Sequence, residues 1–315
     1  MDSNLNKYSR EVASLLHLLP FYRYPEQMSL FKQCKIFVGS VGLLPIRLLL
    51  SPLAILPPYL LSYLPMSYNS FTFRVFAKSC KWSARFLLFI CGFYKLKVAD
   101  LRTGKESSRL IISNHVSLFD FLIMVAVSEE LPSFICRSTV FKIPFVNKVV
   151  KKLNCLYISS ENNGVSKTLK NCLNYPGQPI AVFPEATCTN GLYVISFKTG
   201  AFVPGISVLP MSFDYSYKSF SPAFDSIDWK IWLFRSLTEF YHSCNVTIYP
   251  LYHPNDQEKR DAVLYAENLQ TFISDRLALP MYATSRSNQL IYFDFLQNKL
   301  KFNEAYEEIY EKEIN

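Results

Sequence analysis

Glycine is scarce, with nine in 315 residues, where average usage of about 7% would give more than twice as many. Collagen-like and glycine-rich low-complexity chains are excluded. No G-x-G-x-x-G fingerprint, Walker lysine loop or G-x-S-x-G elbow occurs. Charge is also low, at 18% of residues against about 25% in an ordinary soluble chain. Half of the residues are apolar, which excludes global disorder. The eight cysteines form no C-x-x-C pair and the four histidines are scattered, so no zinc spacing exists and no metal is expected. The thiols read as buried side chains in a reducing compartment.

Acidic residues are almost missing from the first 100 positions, where four stand against twelve Lys and Arg. Beyond residue 100 the two signs are equal, at 21 each, so the whole net charge of +8 sits in the first third. A basic segment of this kind suits an anionic surface. Its aliphatic neighbours favour lipid headgroups over nucleic acid. The 46 Phe and Tyr residues likewise suggest an apolar environment beyond the core.

Ile36 to Leu64 is a run of 29 residues with a single charge, Arg47. As a straight helix it would measure about 43 Å, enough to cross a bilayer. No secretory signal fits, because the run starts late and lacks a cleavage signature. Pro45, Pro52, Pro57 and Pro58 interrupt it, and basic residues flank both ends. These features predict a proline-broken hairpin that enters and leaves one leaflet, with a single span as the alternative. Arg47 is expected to snorkel to an interface. In the next stretch, Phe71 to Phe93, the basics Arg74, Lys78, Lys81 and Arg85 recur at helical spacing. A basic-faced interfacial helix is expected, one that also packs on the domain.

From about residue 95, short apolar runs alternate with helical patterns. Strands are expected at 109–113, 133–136, 155–159, 179–183 and 208–213. Helices are expected at 118–128, 145–153, 165–173 and about 196–202. This alternation predicts an α/β fold, a mainly parallel sheet with flanking helices. A charged helix is expected from Asn255, as N-cap, to Leu277. The tail from Met281 reads as a peripheral helix or partly disordered. The predicted organisation is an N-terminal segment (1–35), a membrane hairpin (36–64), an interfacial helix (65–94), the main domain (95–280) and a C-terminal tail (281–315). The Asn245-Val-Thr sequon falls in a strand-like run on the expected cytosolic side and should be unmodified.

Two loops carry chemistry. Ser113-Asn114-His115-Val-Ser-Leu-Phe-Asp120 follows the first of these strands. On one continuous helix, His115 and Asp120 would point apart. If Ser117 caps the helix, Asp120 falls in its first turn and can reach the His115 ring. A carboxylate on one ring nitrogen fixes the tautomer and leaves the other as a base. The second loop, Phe183-Pro-Glu185-Ala-Thr187-Cys188-Thr-Asn-Gly191, also follows an apolar strand. Phe197-Lys198-Thr-Gly-Ala-Phe and Pro204-Gly-Ile-Ser-Val-Leu-Pro come next.

Together these blocks resemble the glycerolipid acyltransferases, which pair N-H-x4-D with F-P-E-G-T-R-S-x-G and F-K-x-G-A-F stretches. The likeness is greatest to the branch of lysophosphatidylcholine acyltransferases, ancient ubiquitous protein and the yeast lysophosphatidic acid:oleoyl-CoA acyltransferase. The resemblance implies acylation of a lysophospholipid, lysophosphatidic acid to phosphatidic acid being the expected reaction. Acyl-CoA would be co-substrate, with no cofactor. His115 and Asp120 would be catalytic, and Glu185, Thr187, Gly191 and Lys198 substrate-binding. His115 would act as base for direct attack on the thioester, with no acyl-enzyme. The expected partners are acyl-CoA, a lysophospholipid and a bilayer or lipid-droplet monolayer, with no nucleic acid. The expected location is the cytosolic face of the endoplasmic reticulum and lipid droplets. Two departures stand out: Cys188 and Ser160 replace arginines that hold phosphate in the family, leaving Lys198 and Arg137 as cations. A nucleophilic Cys188 is set below a structural one, because no histidine is near it in sequence. The alternative to an enzyme is a catalytically weak scaffold that keeps the fold.

Overall fold

Ser29 opens helix α1 (Leu30–Val38), its hydroxyl accepting from the Lys32 N–H at 3.3 Å in the computed structural model, which describes residues 18–104, 106–137, 140, 142, 145–158, 164–297 and 304. A π-turn, Gly39–Leu43, joins it to α2 (Leu44–Leu61). Pro45 accounts for the π-turn. It has no N–H for the Val41 carbonyl and its ring crowds that turn, so the ladder widens and the Leu44 N–H bonds to Gly39. Pro52, Pro57 and Pro58 lie inside α2 without breaking it. Leu30–Leu61 is therefore one helix of 32 residues, about 48 Å long. The hairpin expected at the prolines is not there. The chain reverses later, across residues 62–70, and α3 (Phe71–Ile90) packs back against α2.

Apolar residues of α3 at helical spacing, Phe73, Phe76, Cys80, Ala84 and Leu88, are buried in the main core. Its basic face is partly used inside the protein. Arg85 Nε donates to the Ala126 carbonyl at 3.1 Å, and Lys81 Nζ to that of Glu129. Both carbonyls lie where a neighbouring helix ends, the negative end of its dipole. Trp82, Phe71 and Phe89 stay exposed.

The remaining elements run β1 (Lys97–Asp100), β2 (Leu110–Ser113), α4 (Phe119–Val127), β3 (Ser133–Arg137), α5 (Val146–Lys152), β4 (Leu156–Ile158), α6 (Gly164–Leu173), β5 (Ile180–Val182), β6 (Val194–Ile195), β7 (Leu209–Ser216), α7 (Trp229–Thr238), β8 (Ser243–Ile248), α8 (Ala262–Leu277), β9 (Met281–Tyr282) and α9 (Arg286–Leu296). The main sheet has the order β1-β8-β7-β2-β5-β3-β4, parallel throughout except β7 against β8. β6 and β9 form a small parallel pair. Strand β2 is central, and its alternate residues feed two cores. Ile111 faces the layer built by α3 and α4, while Leu110 and Ile112 face the layer built with α8. This is the α/β architecture read from the sequence.

Three expectations are corrected. The helix about 196–202 is only a 3-10 turn, Thr199–Ala201. Asn255 caps an isolated turn, accepting from the Gln257 and Glu258 N–H groups at 2.9 Å each. Asp261 is the N-cap of the helix that follows. The tail forms α9, with Asn288, Gln289, Ile291 and Tyr292 buried, so within the described residues it is integral and not peripheral.

The apolar helix touches the domain near both ends. Gly39 crosses the end of α7 so closely that an added Cβ would lie 2.2 Å from the Thr238 carbonyl oxygen. Arg47 does not snorkel. It is 3% exposed and its Nη1 donates to the carbonyls of Leu237 at 2.8 Å and Glu239 at 2.7 Å, while Lys35 pairs with the Glu239 carboxylate. At the other end, Lys148 of α5 lies over the Tyr63 ring at 3.5 Å, and Lys152 donates to the Leu64 carbonyl at 3.0 Å.

Arg47→Met should therefore strand buried carbonyls at the end of α7, and we expect a loss of roughly 2–4 kcal/mol of stability. Thermal unfolding of the detergent-solubilised protein checks this. An unchanged midpoint would show that Arg47 does not dock the helix.

Candidate active site

Strands β2 and β5 are parallel neighbours in register, with Ile112 opposite Val182. The loops that leave their carboxyl ends therefore start side by side, where α/β sheets place ligands. One loop carries His115 and the other Glu185 to Gly191. Asn114 ties the first loop to β7, donating to the Phe213 carbonyl at 3.0 Å and accepting from its N–H at 2.9 Å.

The turn expected between His115 and Asp120 is present, and the Ser117 hydroxyl accepts from the Phe119 N–H at the helix start at 3.3 Å. Asp120 reaches back over the same turn. Its Oδ2 receives the N–H groups of Val116 at 2.7 Å and Ser117 at 2.9 Å, and lies 2.8 Å from His115 Nδ1. The Ser117 hydroxyl also donates to the Pro222 carbonyl at 2.7 Å. Tyr215 donates its hydroxyl to Asp120 Oδ1 at 2.5 Å. Burial and the Asp120 charge push the Tyr215 hydroxyl's pKa well up, so it stays a donor. A carboxylate already fed by amides and a phenol accepts from His115 Nδ1 as N–H, and Nε2 is left bare. The imidazole is 7% exposed and stacks on Phe183, with centroids 4.2 Å apart.

Glu185 is buried, and both its oxygens are engaged. Oε2 accepts from the His115 N–H at 2.6 Å and Oε1 from the Ile195 N–H at 3.1 Å. The residue read as substrate-binding thus braces the backbone of His115. Burial pushes its pKa up to about 8, against the pull of the two amides. Thr187 is buried and donates to Gln289 Oε1 of α9. Gly191 has φ +78°, and a Cβ there would lie 3.0 Å from Val116 Cγ1, so the position needs glycine. Lys198 is exposed, with its backbone N–H on the Pro184 carbonyl at 2.8 Å. Ser160 lies outside the described residues; Arg137 closes β3.

The structure also shows what spacing hid. Cys188 Sγ lies 3.2 Å from His115 Nε2, although 73 residues separate them in the chain. Gln289 Nε2 donates to the Cys188 carbonyl at 3.3 Å. Asn190 Nδ2 donates to the carbonyls of Leu19 at 2.8 Å and Tyr22 at 3.0 Å, so the N-terminal segment is fastened to the same loop. Ala186, at φ +58°, is strained by roughly 1–2 kcal/mol where the resembled motif has glycine. No fixed-spacing signal marks Tyr215 or Gln289 as part of the site, whereas Asn190 lies in the loop that the sequence singles out.

The acyltransferase family profile matches residues 95–214, which contain both loops. The chain is 31% identical over 260 residues to the lysophospholipid acyltransferase LPEAT1 of Arabidopsis thaliana, covering 72% of this chain and 65% of that one. The chain carries an acyltransferase-family segment and is similar to lysophospholipid acyltransferases. A lysophosphatidylcholine acyltransferase of Drosophila melanogaster is 26% identical over 284 residues, covering 84% of this chain and 53% of the relative. The chain thus spans about half to two thirds of the length of these curated relatives. The crystal structure of the 1-acyl-sn-glycerophosphate acyltransferase PlsC from Thermotoga maritima superposes with a TM-score of 0.53 at 18% identity, over 78% of this chain and 98% of that one. The glycerolipid acyltransferase fold is therefore shared.

The raised Glu185 pKa has a sign that can be checked. The native state holds a proton between pH 4.5, the group's ordinary value, and about pH 8, where the unfolded chain has lost it. Stability contributed at this site falls as pH rises through that window. Glu185→Gln should flatten the fall, at the cost of one amide hydrogen bond. Thermal midpoints of both proteins from pH 5 to 8 test it, and parallel curves would reject the assignment.

Proposed function

We propose that this chain transfers an acyl group from acyl-CoA to the free hydroxyl of a lysophospholipid. The observation that carries the reading is His115 held through Nδ1 on Asp120 at the carboxyl end of β2, which leaves Nε2 without a proton. An alcohol is far too weak an acid to ionise at neutral pH, so its attack on a thioester needs a base in place. His115 is that base. Asp120 holds the ring and stabilises the imidazolium as it forms. Glu185 fixes the backbone that carries the ring. Relatives whose names specify lysophospholipid and lysophosphatidylcholine acyltransferases support the acceptor class. An intact His115–Asp120 pair favours an enzyme over a silent scaffold.

The motif likeness supports lysophosphatidic acid as the acceptor. Cys188 supports a second reading. With no guanidinium at that position, a doubly charged phosphomonoester loses a partner, while a singly charged phosphodiester headgroup loses less.

The exposed apolar helix Leu30–Leu61 supports a seat in the membrane that dissolves the acceptor. Contacts with the domain near both ends of this helix favour a helix lying along one leaflet, with the domain read as cytosolic. Such an embedding suits the endoplasmic reticulum and can pass to a lipid-droplet monolayer, since no polar segment is needed on the far side. An N-terminal glycosylation tag modified in microsomes would contradict it.

The activity test uses labelled oleoyl-CoA with membranes and a panel of lysophospholipids. His115→Ala should cost about 10²–10⁴-fold or more, and Asp120→Asn should lose most activity by destabilising the right tautomer. Near-full rate in His115→Ala would remove the mechanism. Lys198→Met should raise KM for the lysophospholipid with less effect on acyl-CoA if Lys198 contacts the headgroup phosphate. An unchanged KM discards that role.

A further inference from the structure

Asp120 divides its donors between two oxygens. Oδ2 serves the His115 ring and two backbone amides, while Oδ1 receives the Tyr215 hydroxyl at 2.5 Å. The fold delivers this phenol by alternation and overhang. Along β7, Leu209, Met211, Phe213 and Tyr215 all point to the layer that holds α4. Strand β2 ends at Ser113, opposite Met211, whereas β7 runs on to Ser216. Tyr215 therefore stands just beyond the carboxyl end of β2, level with the first turn of α4, which carries Asp120. Phe93 meets its ring edge-on at 6.4 Å.

An O–H dipole aimed at a hydrogen-bonded pair acts on the pair as a whole. Its positive end favours whichever state of His115 and Asp120 carries more negative charge, and that is the deprotonated one. This is also the working state, because a base must start without a proton on Nε2. A carboxylate beside an imidazole pulls the other way. It stabilises the imidazolium and so keeps the base protonated to higher pH. The two amides on Oδ2 weaken this pull, but they belong to the turn itself. The phenol comes from another strand and can be removed without altering the turn.

We propose that Tyr215 is a positioning residue that acts through Asp120 to keep His115 a free base at neutral pH; its effect on rate rests on the acyltransferase reading above. The phenol suits this task because it does not titrate in the working range, held as O–H by burial and by the Asp120 charge. Other titratable groups face the pair. Glu185 braces the His115 N–H, with its own pKa pushed up to about 8 by burial. Cys188 Sγ lies 3.2 Å from His115 Nε2. Cys244 stands opposite Tyr215 on β8, its thiol pushed well up by burial. His242 stacks on Phe93, and burial lowers its pKa to about 4. All four remain when Tyr215 is changed, so they cancel in a comparison of variants.

The test uses the full chain in detergent as three proteins: wild type, Tyr215→Phe, and Tyr215→3-fluorotyrosine, whose more acidic phenol donates more strongly. With carbon-13 at histidine Cε1, the His115 ring gives one of four signals, assigned by its loss in His115→Ala. Its NMR titration from pH 5 to 9 reads the pair directly. Tyr215→Phe should raise the midpoint by roughly one pH unit, and the fluorinated phenol should lower it. The acid limb of kcat/KM should follow both shifts. That limb is measured with oleoyl-CoA and lysophosphatidylcholine, whose diester headgroup does not titrate in this range. Tyr215→Phe should then lose most rate at pH 6 and least at pH 8.5, whereas a purely structural role would lower the rate evenly at every pH. An unmoved midpoint in Tyr215→Phe, or one moved down, would overturn the proposal. If Tyr215→Phe fails to fold, as read by its thermal midpoint, the fluorinated variant still decides, and an unmoved or raised midpoint there overturns it. If the midpoints shift as expected but wild type acylates no lysophospholipid, the acyltransferase reading falls and the role of Tyr215 at the pair stands, so the two failures are distinct.

Discussion

The Asp120 carboxylate organises the site. Two backbone amides, an imidazole N–H and a phenol all point at it, and each arrives from a differently placed piece of chain. The amides shape the turn after β2, the His115 ring is held through Nδ1, and Tyr215 reaches in from the neighbouring strand β7. Because the carboxylate is fully buried, these donors supply the hydrogen bonds that water would otherwise give it. A change that displaced any donor would disturb the His115 ring, even from a residue far from it in the chain.

Around that centre the two outer parts of the chain converge on the loop after β5. Leu19, Pro20 and Tyr22 accept from Asn190. Arg23 donates to Asp225 Oδ1 at 3.0 Å and to the carbonyls of Ser221 and Ala223. Gln289 reaches the same loop from α9 and also meets the Asp225 carbonyl at 3.4 Å. The loop needs this support, because Ala186 and Gly191 both hold positive φ and its local conformation is not self-sustaining.

The sheet was legible in the sequence because parallel strands buried on both faces leave unbroken apolar runs, as at 109–113 and 208–213. The His115–Asp120 turn was legible because both partners lie within one local segment. Three features were not. Cys188 meets His115 only because β2 and β5 pair, and pairing is not written in spacing. Gln289 looks like any polar residue of a loosely patterned tail. The proline-rich helix was misjudged because proline removes one hydrogen bond at a time, and contacts with α3, α5 and α7 hold the helix through each gap. Arg47 was taken for a lipid-interface side chain, since its true partners are backbone carbonyls some 190 residues away, which carry no side-chain signature.

The lengthwise docking of Leu30–Leu61 bears on any attempt to obtain a soluble catalytic piece. Cutting the chain after this helix would remove the guanidinium from the end of α7, leave the Glu239 carboxylate without Lys35, and bare the surface of α3 that packs on α2. The same cut would detach Leu19, Pro20 and Tyr22 from the loop that holds Cys188 and Asn190, and Arg23 from Ser221, Ala223 and Asp225. Solubility would be gained by opening the active site. Water-soluble versions are better sought by recolouring the exposed side of the helix, at Leu30, Phe31, Phe37, Leu49 and Leu53, with polar residues while Lys35, Gly39 and Arg47 are kept.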